Sequence, residues 1–209
     1  MAASDFEHVF QPGEGPWTLL LLHGTGGDEN DLVPLGRQLA PGAGLLSPRG
    51  KALENGVSPR FFRRLAVGEL DIPDLLERTD ELARFVGDAA AEYSLDPDRV
   101  VALGLSNGAN IAVSLLFRHP VLLAGAALLR PMLPYGPPDE LALGGTRVLI
   151  AAGGQDPYVP SGDSLNLGRA LETAGATVTT HLNPAAGHGL TEGDLVETSR
   201  WMTDLLAPG

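Results

Sequence analysis

The chain has 209 residues, 44% of them hydrophobic, which is enough to bury one sizeable core, so a single domain over 1–209 is expected. It has no cysteine, which excludes disulfides, thiolate metal ligands and a cysteine nucleophile. The formal net charge of −12 argues against nucleic acid and anionic membrane as partners, and the residue usage leaves Lys51 as the lone lysine.

Met1-Ala-Ala-Ser-Asp-Phe-Glu-His lacks a basic region followed by an apolar run, and no segment reaches the ~20 apolar residues that span a bilayer. A cytoplasmic protein without membrane insertion is the expectation. Along the chain, residues 5–10 read as a strand that pairs with the apolar run 17–22, across the turn-like residues 11–16. The run 17–22 ends in His23-Gly24-Thr25-Gly26-Gly27, a buried strand entering a Gly-rich loop. Residues 49–70 and 131–145, rich in Gly, Pro and charge, read as excursions over the sheet edge. Between them, apolar positions 75, 76, 82, 86, 89, 90 and 93 keep a helical stripe, with Pro73 suited to a first turn.

Val100 to Leu103 is a second buried strand, followed by the turn 104–108 and a helix over 109–117. Strands at 122–129, 147–152 and 176–182 then alternate with helices at 163–174 and 191–206. Such alternation predicts an α/β fold, a mainly parallel sheet covered by helices on both faces and carrying no large cap domain.

Gly104-Leu105-Ser106-Asn107-Gly108 has the form of a nucleophile elbow, a sharp strand-to-helix turn that lifts a serine oxygen clear. With 27 glycines in the chain, Gly-X-Ser-X-Gly arises roughly 0.15 times by chance, so the strand before it and the helix after it carry most of the weight. A serine hydroxyl needs a base, and the base needs a group that holds its tautomer. His188, in Ala186-Gly187-His188-Gly189 after the last predicted strand, is the candidate base; His23, ending a strand, reads instead as a loop brace. Asp156 follows the strand 147–152 and completes the chain order nucleophile, acid, base; Asp139, Asp163 and Asp194 fit less well because none immediately follows a strand. For the oxyanion of an acyl-transfer intermediate, the backbone N–H groups of Asn107 and Thr25 are the candidate donors, with Gly26 as the alternative to Thr25.

Beyond these residues, the stretches 22–32, 47–50, 54–56, 59–64, 104–110 and 154–157, with Gly187-His188, resemble the phospholipase/carboxylesterase family of α/β-hydrolases. The likeness spans about residues 5–207 and is nearest to the bacterial branch associated with hydroquinone and quinone stress. It implies an α/β-hydrolase fold, no cofactor, a small-molecule ester substrate and a Ser106–Asp156–His188 triad. Asn107 stands where acyl-protein thioesterases in this family carry glutamine, which sets the chain apart from protein depalmitoylation. Phe61, Phe62, Arg63 and Arg64 offer an aromatic wall and a cation to a substrate.

The reading is therefore a serine carboxylesterase acting on small esters or thioesters. A lactone hydrolase of the dienelactone type is close to it chemically. A metal-dependent ring-cleaving dioxygenase would need two histidines and a carboxylate around iron, and the sequence offers no compact ligand cluster. A non-catalytic binding module would tolerate a damaged triad, whereas every required residue type is present. Homodimer formation is left open by the sequence.

Overall fold

The computed structural model describes residues 5–207. Its centre is a seven-stranded sheet built from β1 (His8–Gln11), β2 (Thr18–Leu22), β3 (Gly44–Pro48), β8 (Val100–Leu105), β9 (Gly125–Leu129), β10 (Arg147–Gly153) and β11 (Thr177–Asn183). The order is β1-β3-β2-β8-β9-β10-β11, parallel throughout except for β1. Helices α1 (Val33–Leu39), α2 (Ile72–Tyr93), α3 (Asn107–Arg118), α4 (Ser161–Thr173) and α5 (Glu192–Leu206) connect or close the strands. No described helix is long and apolar enough to cross a membrane.

The unbroken apolar runs follow from the alternation of side chains along a strand. Leu20 and Leu22 of β2 join a core with Leu82 of α2, Ile111 of α3 and Leu167 of α4. Leu19 and Leu21 face the other way, into a core with Leu39 of α1 and Trp201 and Met202 of α5. A strand buried on both faces has no polar face to show, which is why β2, β8 and β9 read as plain hydrophobic segments. In α2, Leu75, Leu82, Val86 and Ala89 of the expected stripe are buried. Its start is set by Asp71, whose side chain accepts from Asp74 N, and by Pro73 in the first turn.

The strand expected at 5–10 does not pair with 17–22. It runs as β1 and pairs antiparallel with β3, His8 opposite Pro48 and Gln11 opposite Leu45. β2 is flanked by β3 and β8, both parallel to it, so neither edge is free for β1. The segment 49–70 contains two short hairpins, β4 (Ala52–Glu54) with β5 (Ser58–Arg60), and β6 (Arg64–Ala66) with β7 (Glu69–Leu70).

Candidate active site

β8 ends at Leu105 and α3 starts at Asn107, so the whole change of direction falls on Ser106, at φ 52° and ψ −111°. A positive φ on a residue other than glycine is strained backbone, of the kind that clusters at functional sites. Ser106 N donates to Leu129 O at 2.8 Å, and Ser106 O accepts from Asn110 N at 2.9 Å, which fix the bend from both sides. The following helix passes so close to β2 that a Cβ on Gly108 would sit 1.9 Å from Leu22 O. Only glycine permits that approach.

The loop after β11 brings His188 to this bend. Its Nε2 lies 2.9 Å from Ser106 Oγ and its Nδ1 lies 2.7 Å from Asp156 Oδ2. An ionised carboxylate only accepts, so Nδ1 carries the hydrogen and Nε2 is left to accept from the serine hydroxyl. The Asp156 side chain is 1% exposed, and its other oxygen accepts from Tyr158 N at 2.8 Å and Val159 N at 3.1 Å. The Tyr158 ring stands edge-on to the His188 imidazole, with centroids 5.1 Å apart. The chain segments leading to Asp156 and His188 touch directly: a Cβ on Gly153 would meet Gly187 O at 2.3 Å.

Residues 67–196 match the dienelactone hydrolase family. The chain belongs to that family. It is 42% identical over 200 residues to MhqD of Bacillus subtilis (strain 168), provisionally named a hydrolase, covering 96% of this chain and 99% of MhqD. Among solved structures it is similar to the carboxylesterase of Bacillus cereus, at 47% identity and a TM-score of 0.93, over 97% of this chain and 95% of that one. A carboxylesterase from Mesorhizobium loti superposes with a TM-score of 0.83 at 36% identity, over 91% and 90% of the two chains. The protein is thus a hydrolase of the α/β-hydrolase, esterase type.

In this member of the dienelactone hydrolase family, a buried arginine that the sequence pattern does not single out ties the site together. Arg130 follows β9 with φ 58°, and its side chain is fully buried. Its Nε donates to Gly187 O at 3.0 Å and its Nη2 to Gly189 O at 2.8 Å, so one guanidinium grips the chain immediately before and after His188. The same group donates to Ala151 O on β10 and pairs with buried Asp194 at 2.6 Å. Burial alone would raise the Asp194 pKa, but the hydrogen bonds from Arg130 and Thr191 outweigh it and hold the carboxyl below its ordinary value. A lone arginine closing the apolar run 122–129 was the available signal.

Beside Ser106 and His188 opens a cavity of about 500 Å³ lined by these two residues, Thr25, Asn107 and apolar side chains such as Met132 and Leu190. Gly26 N donates to Pro59 O at 2.9 Å, so of the two loop candidates only Thr25 keeps a backbone N–H uncommitted to that contact. The expected aromatic wall is absent: Phe61 and Phe62 are 2% and 0% exposed and belong to the core beneath. Burying each ring contributes roughly 1.5–3 kcal/mol that display to solvent would forfeit. Arg63 lies outside the lining, paired with Asp71 and Asp74, whereas Arg64 and the unanticipated Arg60 do line the cavity.

His23 braces a loop. Gly50 N donates to its Nε2 at 2.9 Å, and its Nδ1 donates to Gly24 O at 2.7 Å. Burial lowers its pKa and keeps it neutral. Among the described residues, no group of three or more His, Cys, Asp and Glu side chains is arranged to hold a metal ion, so the ring-cleaving alternative has no ligand set to rest on.

Proposed function

We propose that the protein is a serine carboxylesterase that cleaves small carboxylic esters or thioesters through an acyl-enzyme. The carrying observation is the unbroken hydrogen-bond chain from Ser106 Oγ through His188 to Asp156. In this reading Ser106 Oγ attacks the carbonyl carbon while His188 Nε2 takes its proton, and Asp156 steadies the imidazolium that forms. The oxyanion accepts from the backbone N–H groups of Asn107, at the first turn of α3, and Thr25; each such donor is worth about 3–4 kcal/mol in the transition state. Collapse of the intermediate expels the alcohol or thiol, which leaves with the proton held on His188. Water, deprotonated by the same nitrogen, then releases the acid and restores Ser106.

The match to the dienelactone hydrolase family favours one companion reading, a cyclic ester as substrate, which the same machinery would open. Comparing lactones with linear esters separates the two. The stretches around residues 22–32 and 59–64 support placement in the phospholipase/carboxylesterase group and its quinone-stress branch. Sharing of one core by the 49–70 hairpins and the sheet supports reading the chain as one domain. Replacing Ser106 by alanine should abolish p-nitrophenyl acetate turnover at unchanged melting temperature; retained turnover refutes the proposal.

A further inference from the structure

The first turn of α3 carries two carboxamides, Asn107 and Asn110, and both residues line the cavity beside Ser106. Each amide is half engaged. Asn107 Oδ1 accepts from Phe61 N at 2.7 Å, and Asn110 Oδ1 accepts from Met132 N at 2.9 Å. A backbone N–H only donates, so these bonds fix which end of each amide is the oxygen and leave each Nδ2 as a donor. Among the described residues neither Nδ2 meets an acceptor.

The two differ in access. Asn107 Nδ2 is sealed inside the protein. Asn110 is 6% exposed, its Nδ2 is not sealed, and the space it borders is the cavity. It stands one helical turn from the nucleophile, with Asn110 N donating to Ser106 O at 2.9 Å. Apolar Leu105, Met132 and Val159 share the lining. Water can pair with an open donor, but a substrate chain that displaces the water must bring an acceptor or leave the donor unpaired. Bracing Met132 N needs only the oxygen of Asn110; the nitrogen needs a partner from elsewhere. The group joined to Ser106 in an acyl-enzyme is the acyl chain, so a donor one turn along the same helix meets that chain, while the leaving group departs past His188.

We propose that the cavity selects acyl groups carrying an uncharged acceptor oxygen, an ether, hydroxyl or carbonyl a few bonds from the ester, which takes a hydrogen bond from Asn110 Nδ2 while the ester carbonyl meets Ser106. This rests on the esterase reading and adds the substrate class to it. If Asn110 only braced the segment after β9, its loss would slow plain and oxygenated acyl chains alike. A donor that reads the chain changes their ratio.

The test takes three matched pairs of p-nitrophenyl esters with the full chain: methoxyacetate against butanoate, 3-methoxypropanoate against pentanoate, and 4-methoxybutanoate against hexanoate. Each pair differs by one ether oxygen in place of a methylene, and dividing kcat/KM by the hydroxide rate constant removes the difference in intrinsic reactivity. The ether should be preferred about five- to fiftyfold at one position of the oxygen, the range set by leaving a buried donor unpaired, and added sodium chloride should leave the preference unchanged because no charge takes part. Asn110→Ala should bring that ratio close to one. Asn110→Asp should do the same while keeping an oxygen for Met132 N, so it covers the case in which Asn110→Ala does not fold. Equal or slower cleavage of the ether in every pair overturns the proposal. So does a preference spread evenly over the three pairs, one that falls with salt, or one that persists in either folded variant. No turnover of any of the six esters would instead overturn the esterase reading beneath it.

Discussion

Arg130→Met probes whether the buried guanidinium positions the base. The substitution leaves Asp194, fully buried, without its cation, and removing one partner of such a pair costs about 3–5 kcal/mol. It also removes the donors to Gly187 O and Gly189 O, on either side of His188. A loop released there moves His188 relative to Ser106 Oγ, and a shift of about 1 Å near the chemistry costs roughly a hundredfold in rate. Stability and positioning are separated by the double variant Arg130→Met/Asp194→Leu, which leaves no bare charge. We expect it to regain much of the lost melting temperature by calorimetry while kcat for p-nitrophenyl butyrate stays about a hundredfold down and KM changes little. Arg130→Lys, which keeps a donor, should recover part of kcat. A double variant that melts near the native temperature and turns over at the native rate would refute the positioning role.

Asp156→Asn should lower kcat by about 10⁴ with the fold intact by circular dichroism, because an amide can hold His188 in the wrong tautomer. Gly108→Ala should lose several degrees of melting temperature or fail to fold, since its Cβ would sit 1.9 Å from Leu22 O; a native melting point would contradict that packing. His23 has a folded pKa below its ordinary 6.5, so the unfolded chain takes up the proton first as pH falls. Its contribution is therefore complete above about pH 6.5 and is lost on acidification towards the folded value; urea titrations between pH 5 and 7.5 should show this slope in the native protein and a flatter one in His23→Asn.

The parts of this molecule that were legible in its sequence are those whose physics is local. β2 after Thr18, and β8 throughout, carry no polar side chain because both faces are covered, and the Ser106 turn is marked by the small residues its crowding demands. β3 and α1 leave no such mark in the sequence. β3 offers only Leu45 and Leu46 between Gly44 and Pro48, and the seven-residue α1 contains Gly36, which packs against Leu21 and Leu45. Phe61 and Phe62 lie in a stretch rich in Gly, Pro and charge that reads as surface, and only the tertiary fold turns them inward. Arg130 and Arg60 escaped for a related reason: what a buried arginine does depends on which carbonyls and carboxylates the folded chain brings to it, and those lie up to 64 residues away in sequence.

Ser106 Oγ, relieved of its proton by His188, is expected to form a covalent bond with an electrophile. Treating the native protein with a fluorophosphonate and mapping the adduct by peptide mass spectrometry measures that bond itself. A single adduct is expected on the peptide containing Ser106, formed rapidly in the native protein, slowed by several orders of magnitude in His188→Ala and absent in Ser106→Ala. An unmodified Ser106, or a label that persists in Ser106→Ala, would contradict it.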